Sequence, residues 1–363
     1  MNPKPKIVST FTGCGGMDLG FEQEGFETIW ANDFEEMAVE TFKRNISSNT
    51  VLGDITQIDP FTDPTIPEAD IVMGGFPCQD FSVIWKQPGL SGERGGLYKN
   101  FAEFVTAKKP KVFVAENVKG LLTANKRMAI KTIVEDLQSI SPGYLIKPRL
   151  YNFADYGVPQ FRERVLIVGV RADTGFNFKH PRRTHGPHGI FPYLTAGQAL
   201  ENVEDVPYNN EQLNQRPRTR EILNRIPEGG NFTDIPKDSP FYVKGMISHV
   251  YRRIHRNEPA KTIIAAGGGG TWGYHYPEPR SLTNRERARL QSFPDWFEFV
   301  GSTTEVRRQI GNAVPPEGVR PLASRLMRIF TGDYTPVDLT QEISRLNSMT
   351  IAERVKEANE EVD

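Results

Sequence analysis

The chain has 363 residues, of which 38% are hydrophobic and 25% charged, the balance of an ordinary globular protein with room for a large core and a second lobe. A net charge of −1 leaves no global footprint for nucleic acid; that argues against a simple DNA-coating protein but allows a local basic cleft. No apolar run approaches a membrane span and the start MNPKPKIVST lacks a secretory signal. With only Cys14 and Cys78, the expectation is a reducing cytoplasm and no disulfide framework.

Through residue 170, strand-like apolar runs alternate with amphipathic stretches, which predicts a parallel α/β sheet. The candidate strands are Lys6–Phe11, Thr28–Ala31, Ile71–Gly74, Val112–Ala115 and Val165–Val170. Leu97, Phe101, Phe104 and Val105 recur at helical spacing, as do Ile130, Ile133, Val134 and Leu137; these stripes read as core packing. The first strand runs into Phe11-Thr12-Gly13-Cys14-Gly15-Gly16, where glycines let the backbone approach a bound cofactor. Asp33 ends the second strand region, placed to accept from ribose hydroxyls, and Asp54 in Gly53-Asp54-Ile55-Thr56 could accept from an adenine amino group. Any adenosine-bearing cofactor suits this pattern, although Asp18 departs from the GxGxxG of dinucleotide sites. Helix capping or turn formation is the alternative role for both carboxylates.

The fourth run opens into Gly74-Gly75-Phe76-Pro77-Cys78-Gln79-Asp80-Phe81-Ser82. A cysteine behind a rigid proline at a strand's carboxyl end stands where open α/β sheets keep ligands, and it can serve as a nucleophile; a small buried hydrophobe is the other reading. From about 175 to 280 the text is rich in Pro, Gly, Asn, Arg and Tyr. Residues 171–280 carry 15 Lys+Arg against 11 Asp+Glu, a locally basic region. All six histidines fall there without metal-ligand spacing, so no metal is assigned. Helical order returns around Asn284–Gln291 and Pro316–Phe330, and the tail from Thr340 reads as a helix or frayed appendage without chemistry.

The ordered set FTGCGG, AND, GDIT, GGFPCQDFS, ENVKG, QFRER, LTNRERARLQSFPDWF and QIGNAVPP closely resembles the bacterial DNA (cytosine-5)-methyltransferases of restriction-modification systems. The resemblance runs from residue 6 to about 330 apart from a variable stretch near 180–255. It implies a Rossmann-like S-adenosylmethionine-binding catalytic domain at 1–178 and a smaller target-recognition domain at 180–279. A hinge at 280–308, a returning helical segment at 309–335 and a helical tail at 336–363 would follow. By the same resemblance, Cys78 adds to C6 of a flipped-out cytosine, Glu116 holds and protonates N3, and Arg162 and Arg164 steady the base oxygen and the cysteine. Strand alternation would put these two arginines on one face.

The cofactor, released as S-adenosylhomocysteine, would be held by Phe11, Gly13, Gly15, Gly16, Asp33, Phe34, Asp54, Ile55, Pro77, Asn312 and Val314. Ser82 and Arg94 of a closing loop, with Thr262, Ile263 and Gly268, would meet double-stranded DNA. Arg216, Arg218, Arg220, Arg252, Arg253 and Arg256 are further candidates for phosphate or guanine contacts. The implied setting is a cytoplasmic, nucleoid-associated monomer with no membrane partner, whose link to a cognate restriction endonuclease is genetic. An RNA cytosine-5 methyltransferase and an inactive DNA-binding regulator are the alternatives. The basic insert argues against the first, and intact Pro77-Cys78 and Glu116 against the second.

Overall fold

A computed structural model describes residues 3–77, 96–244, 250–265 and 273–360. Cys78, Ser82, Arg94 and Gly268 lie outside the described residues. The chain divides into two compact units: 1–152 with 163–182 and 319–363, and 153–162 with 183–318. The resemblance implies a first boundary at 178. In the structure, residues 153–162 leave the sheet and pack within the second unit, and residues 280–318 join them there.

In the first unit, β1 (Lys6–Thr10), β2 (Glu27–Asp33), β3 (Thr50–Leu52), β4 (Ile71–Gly74), β5 (Val112–Val118), β6 (Tyr144–Asn152) and β8 (Glu163–Arg171) form one sheet in the order β3-β2-β1-β4-β5-β8-β6. β7 (Gln160–Phe161) belongs to the second unit. Strands β1 to β5 are mutually parallel, as the alternating pattern predicts. β8 corrects the all-parallel expectation, since it runs antiparallel to both β5 and β6. The strands of the sheet's middle, such as Ile71-Val72-Met73-Gly74, are buried on both faces, and so appear in the sequence as continuous apolar runs.

Four helices, α1 (Gly16–Glu22), α2 (Glu36–Asn45), α3 (Tyr98–Lys108) and α4 (Met128–Gln138), accompany these strands. The predicted stripes are core: Phe101, Phe104 and Val105 of α3 and Ile130, Ile133 and Val134 of α4 are essentially inaccessible. Trp30 packs on Phe104 with ring centroids 5.5 Å apart, and Phe101 meets Phe113 edge-on at 6.1 Å. Full burial of each such side chain stabilises by roughly 1.5–3 kcal/mol.

Chain direction reverses between β1, which leads to β2 on one side, and β4 on the other. That switch point, at the carboxyl ends of the strands, is where open α/β sheets bind ligands. The loop after β1 is Phe11–Gly15, and the segment after β4 is Gly75–Pro77.

No candidate strand covers β6, which contains Lys147, Pro148 and Arg149. Lys147 is 4% exposed with Nζ 3.6 Å from Glu342 Oε1, and Arg149 donates to the Pro181 carbonyl at 3.0 Å. Glu342 belongs to the tail, whose helices Thr340–Ser348 and Ile351–Glu360 pack against β6 and cover an edge strand.

The second unit pairs β7 in parallel with β9 (Ala260–Lys261). Its core gathers Ile222, Leu223, Ile226, Phe232, Ile235 and Tyr274. The helix Asn284–Leu290 starts at a capping box in which Thr283 and Glu286 satisfy each other's backbone N–H groups.

Candidate active site

On the cofactor side, the turn after β1 is built from left-handed residues: Phe11 at φ 53°, Gly13 at 54° and Gly15 at 89°. Glycine adopts this region freely, whereas Phe11 is strained there. Asp33 pins the turn. Its Oδ2 accepts the Gly13 N–H at 2.7 Å and its Oδ1 the Glu35 N–H at 2.9 Å, while the Asp33 carbonyl accepts Gly53 N–H at 3.0 Å. Asn32 ties the neighbouring loop through donations to Val51 and Gly53 carbonyls at 3.1 and 3.0 Å. The loops after β1, β2 and β3 are thereby latched to one another. Burial pushes the Asp33 carboxyl up, and the Glu35 and Gly13 N–H groups oppose that.

Asp54 takes the capping role weighed from sequence: its Oδ1 caps the turn Ile55–Gln57 by accepting from Thr56 N and Oγ1 at 2.9 Å each. Phe34 presents its ring to solvent at 68% exposure. A Cβ added at Gly13 would meet nothing within 4 Å, so the turn has an open face. An open backbone floor, two carboxylates at strand ends and an exposed ring fit an adenosine-bearing cofactor. Cys14, within the same turn, is buried, with its thiol pushed up to about 12 chiefly by desolvation; it is an apolar filler and not a nucleophile.

On the catalytic side, Glu116 lies on β5 just past Ala115, which pairs with Gly74 at the end of β4. Arg164 Nε, from β8, stands 2.9 Å from Glu116 Oε1, with both side chains largely buried. Asn117 Nδ2 donates to the Phe76 carbonyl at 2.8 Å, and its Oδ1 accepts the Val118 N–H at 2.9 Å. This bracing of the backbone next to Pro77 is a site feature that sequence reading passed over, although Asn117 stands in the same ENV triplet as Glu116.

Arg162 does not share a strand face with Arg164. It occupies the break between β7 and β8, fully buried, and donates to the Ile263 carbonyl at 3.0 Å and the Gly311 carbonyl at 2.9 Å, with Asn312 O at 3.5 Å. Its guanidinium thus binds segments of the second unit together. In that unit Thr262 Oγ1 donates to Phe161 O at 2.7 Å, and Ile263 N–H to Gln160 Oε1 at 2.7 Å. Asn312 is exposed at the end of the helix Thr303–Asn312, and Val314 is buried.

Arg253 is not available for DNA. It is 8% exposed and donates to the backbone carbonyls of His275, Leu223, Ile226 and Tyr276. Arg256 stays exposed but is paired with Glu228 at 3.0 Å. Among the described residues no three His, Cys, Asp or Glu gather as a metal site, and no helix is long and apolar enough to cross a membrane.

The family model of C-5 cytosine-specific DNA methylases matches residues 5–328. The chain belongs to that family. As a C-5 cytosine-specific DNA methylase it transfers a methyl group from S-adenosylmethionine to C5 of cytosine in DNA. It is 68% identical over 343 residues to the type II methyltransferase M.NgoFVII of Neisseria gonorrhoeae, an alignment covering 94% of this chain and 91% of that one. It is 38% identical to the type II methyltransferase M.BbvI of Brevibacillus brevis, covering 96% and 97%.

The methylase superposes on the S. pombe Dnmt2 methyltransferase with a TM-score of 0.60 and 16% identity, over 90% of this chain and 99% of that one. A prophage-encoded E. coli protein assigned as a DNA modification methyltransferase gives 0.67 and 22%, over 90% and 100%. At these identities the structural likeness speaks for the fold alone.

Proposed function

We propose that this methylase modifies one cytosine within a specific duplex sequence through Cys78 as nucleophile, with Glu116 acting on N3 of the base. The observation that carries the reading is Glu116: a carboxylate at the carboxyl end of β5, held by Arg164, beside the strand that leads into Pro77-Cys78. C5 of cytosine is too weak a nucleophile to be alkylated directly. Addition of the Cys78 thiolate to C6 makes the ring enamine-like, and Glu116 assists by holding and protonating N3. Once C5 has attacked the cofactor's sulfonium methyl, loss of the C5 proton and departure of the Cys78 thiolate from C6 complete a β-elimination that gives 5-methylcytosine. The target carbon is stacked inside the duplex, so the base must be flipped out.

S-adenosylmethionine, when bound, supplies an electrophilic sulfonium methyl group. Asp33 and Asp54 would hold its ribose and adenine, with Phe34, Ile55 and the Phe11–Gly16 turn around them; Pro77, Asn312 and Val314 complete the set taken from the resemblance. Arg164 positions Glu116, while the surroundings of Arg162 support a bracing role for it instead of base contact. Ser82, Arg94, Thr262 and Gly268 are assigned to DNA and residues 180–279 to choosing the sequence, while Ile263, expected from the resemblance to meet DNA, is 1% exposed and supports that segment from inside the unit. The names of the type II relatives support a modification enzyme that protects DNA from a cognate restriction endonuclease; a monomer acting on nucleoid DNA is part of the same proposal.

Duplex DNA with 5-fluorocytosine at the target tests the core of this. That base blocks the final elimination, so a covalent enzyme–DNA adduct should accumulate only with S-adenosylmethionine and vanish in Cys78→Ala. Trapping or methylation by Cys78→Ala would remove Cys78 from the mechanism.

A further inference from the structure

Residues 184–192 hold an apolar tip in water on a tightly braced loop of the second unit. Ile190 is 85% exposed and Phe191 53%, and the flanking Pro187 and Pro192 are exposed as well. The Asp155 carbonyl accepts Thr184 N–H at 2.9 Å and His185 N–H at 3.0 Å. Gly186 N–H reaches Phe191 O at 2.8 Å, and Ile190 and Phe191 both donate to Thr184 O. Below the loop, the Asp155 carboxylate accepts the Tyr193 hydroxyl at 2.9 Å and pairs with Arg183 at 3.2 Å. Gly186 sits at φ 76°, and a Cβ there would lie 2.2 Å from the Tyr193 ring. Such bracing keeps Ile190 from collapsing onto the protein, and adjoining exposed apolar residues mark a contact surface.

Two observations choose the occupant. From Arg183 to Leu200 the chain has no carboxylate side chain; Arg183, paired with Asp155 beneath the loop, and the exposed Lys261 of the same unit leave a cationic setting, which suits a polyanion. In addition, Tyr193 packs edge-on against Phe161 at 5.4 Å, and Lys261 Nζ lies 5.2 Å from the same Phe161 ring. Lys261 directly precedes Thr262, where the segment assigned to DNA begins. We infer that Ile190 and Phe191 form a wedge seated in a groove of the duplex, against sugar and base faces, while neighbouring cations meet phosphates. This rests on the reading that the second unit binds DNA.

The test uses the full chain with Ile190→Ser and Phe191→Ser together. Its ligand is a duplex carrying the site that bisulfite sequencing of a methylated plasmid identifies, and binding is followed by fluorescence anisotropy at several salt concentrations. Affinity should fall on the order of tenfold at every salt concentration, because apolar contact is lost. The slope of log affinity against log salt should not change, since no phosphate contact is removed. S-adenosylmethionine affinity and the unfolding midpoint should match the parent, because both side chains are exposed.

Unchanged DNA affinity overturns the wedge. So does a loss confined to low salt with a shallower slope, which would assign the tip to phosphate contact. A parent that sediments as a dimer and a variant that sediments as a monomer, with equal DNA affinity, would give the patch to a second copy of this chain and overturn it as well. Failure of the division of labour between the units appears elsewhere, in the site choice of a chimera, and leaves these affinities interpretable.

Discussion

Asp18, the third residue of α1, is 1% exposed. Thr28 Oγ1 donates to its Oδ1 at 3.3 Å. Burial is the main reason its carboxyl is pushed up to about 7, and Glu22 one turn along adds to this; the Ser9 and Thr28 hydroxyls oppose it. A carboxyl that titrates near 3.8 in the unfolded chain and near 7 in the fold favours folding only while protonated. That stability is fully present below about pH 3.8 and is lost as pH rises through about 7. The span corresponds to roughly 4 kcal/mol at 1.36 kcal/mol per decade of proton affinity.

Asp18→Asn keeps the shape of the neutral acid and removes the titration. Denaturant titration of parent and variant from pH 5 to pH 8 should show the variant already ahead by about 1.6 kcal/mol at the acid end, since the unfolded-chain carboxyl loses its proton above about pH 3.8. A widening advantage for the variant should follow, reaching several kcal/mol by pH 8. Taking the difference at each pH cancels the other carboxylates, which the two proteins share. A difference that does not change with pH, or a variant less stable at pH 8, would refute a neutral buried Asp18.

Glu116→Gln should retain DNA and cofactor binding while lowering the methylation rate by roughly 10²–10⁴-fold; single-turnover kinetics with labelled cofactor would measure this, and near-normal turnover would show that N3 is activated otherwise. Asp33→Ala should weaken S-adenosylmethionine binding by about 1.5–3 kcal/mol in calorimetry, since it removes both a ribose acceptor and the pin on Gly13. Replacing residues 180–279 with the matching stretch of a relative of different specificity should redirect methylation to the relative's site, read by sequencing converted DNA. A folded, active chimera that still marks the original site would contradict the assignment of sequence choice to that stretch.

The motifs were legible because each is local. Phe11–Gly16, Asp33 and Glu116 stand at or just past strand ends, where glycine, turn and apolar-run signals lie within a few residues of the chemistry. The same locality exposed β1, β2, β4 and β5, whose buried runs announce themselves. The apolar stripes of α3 and α4 did so at helical period.

Tertiary structure alone decided what depends on distant partners. β6 is a strand despite Lys147, Pro148 and Arg149, because the edge tolerates such residues when Glu342, from the tail, lies near Lys147 and the Pro181 carbonyl receives Arg149. Arg162 and Arg164 look equivalent in Gln160-Phe161-Arg162-Glu163-Arg164. A break between strands sends one to the carbonyls of Ile263 and Gly311 and the other to Glu116. Arg253 and Arg256 read alike as DNA contacts, yet only burial among four carbonyls distinguishes the first from a surface charge. A guanidinium's role is set by which acceptors surround it, and around Arg162 those acceptors arrive from residues up to 150 positions away.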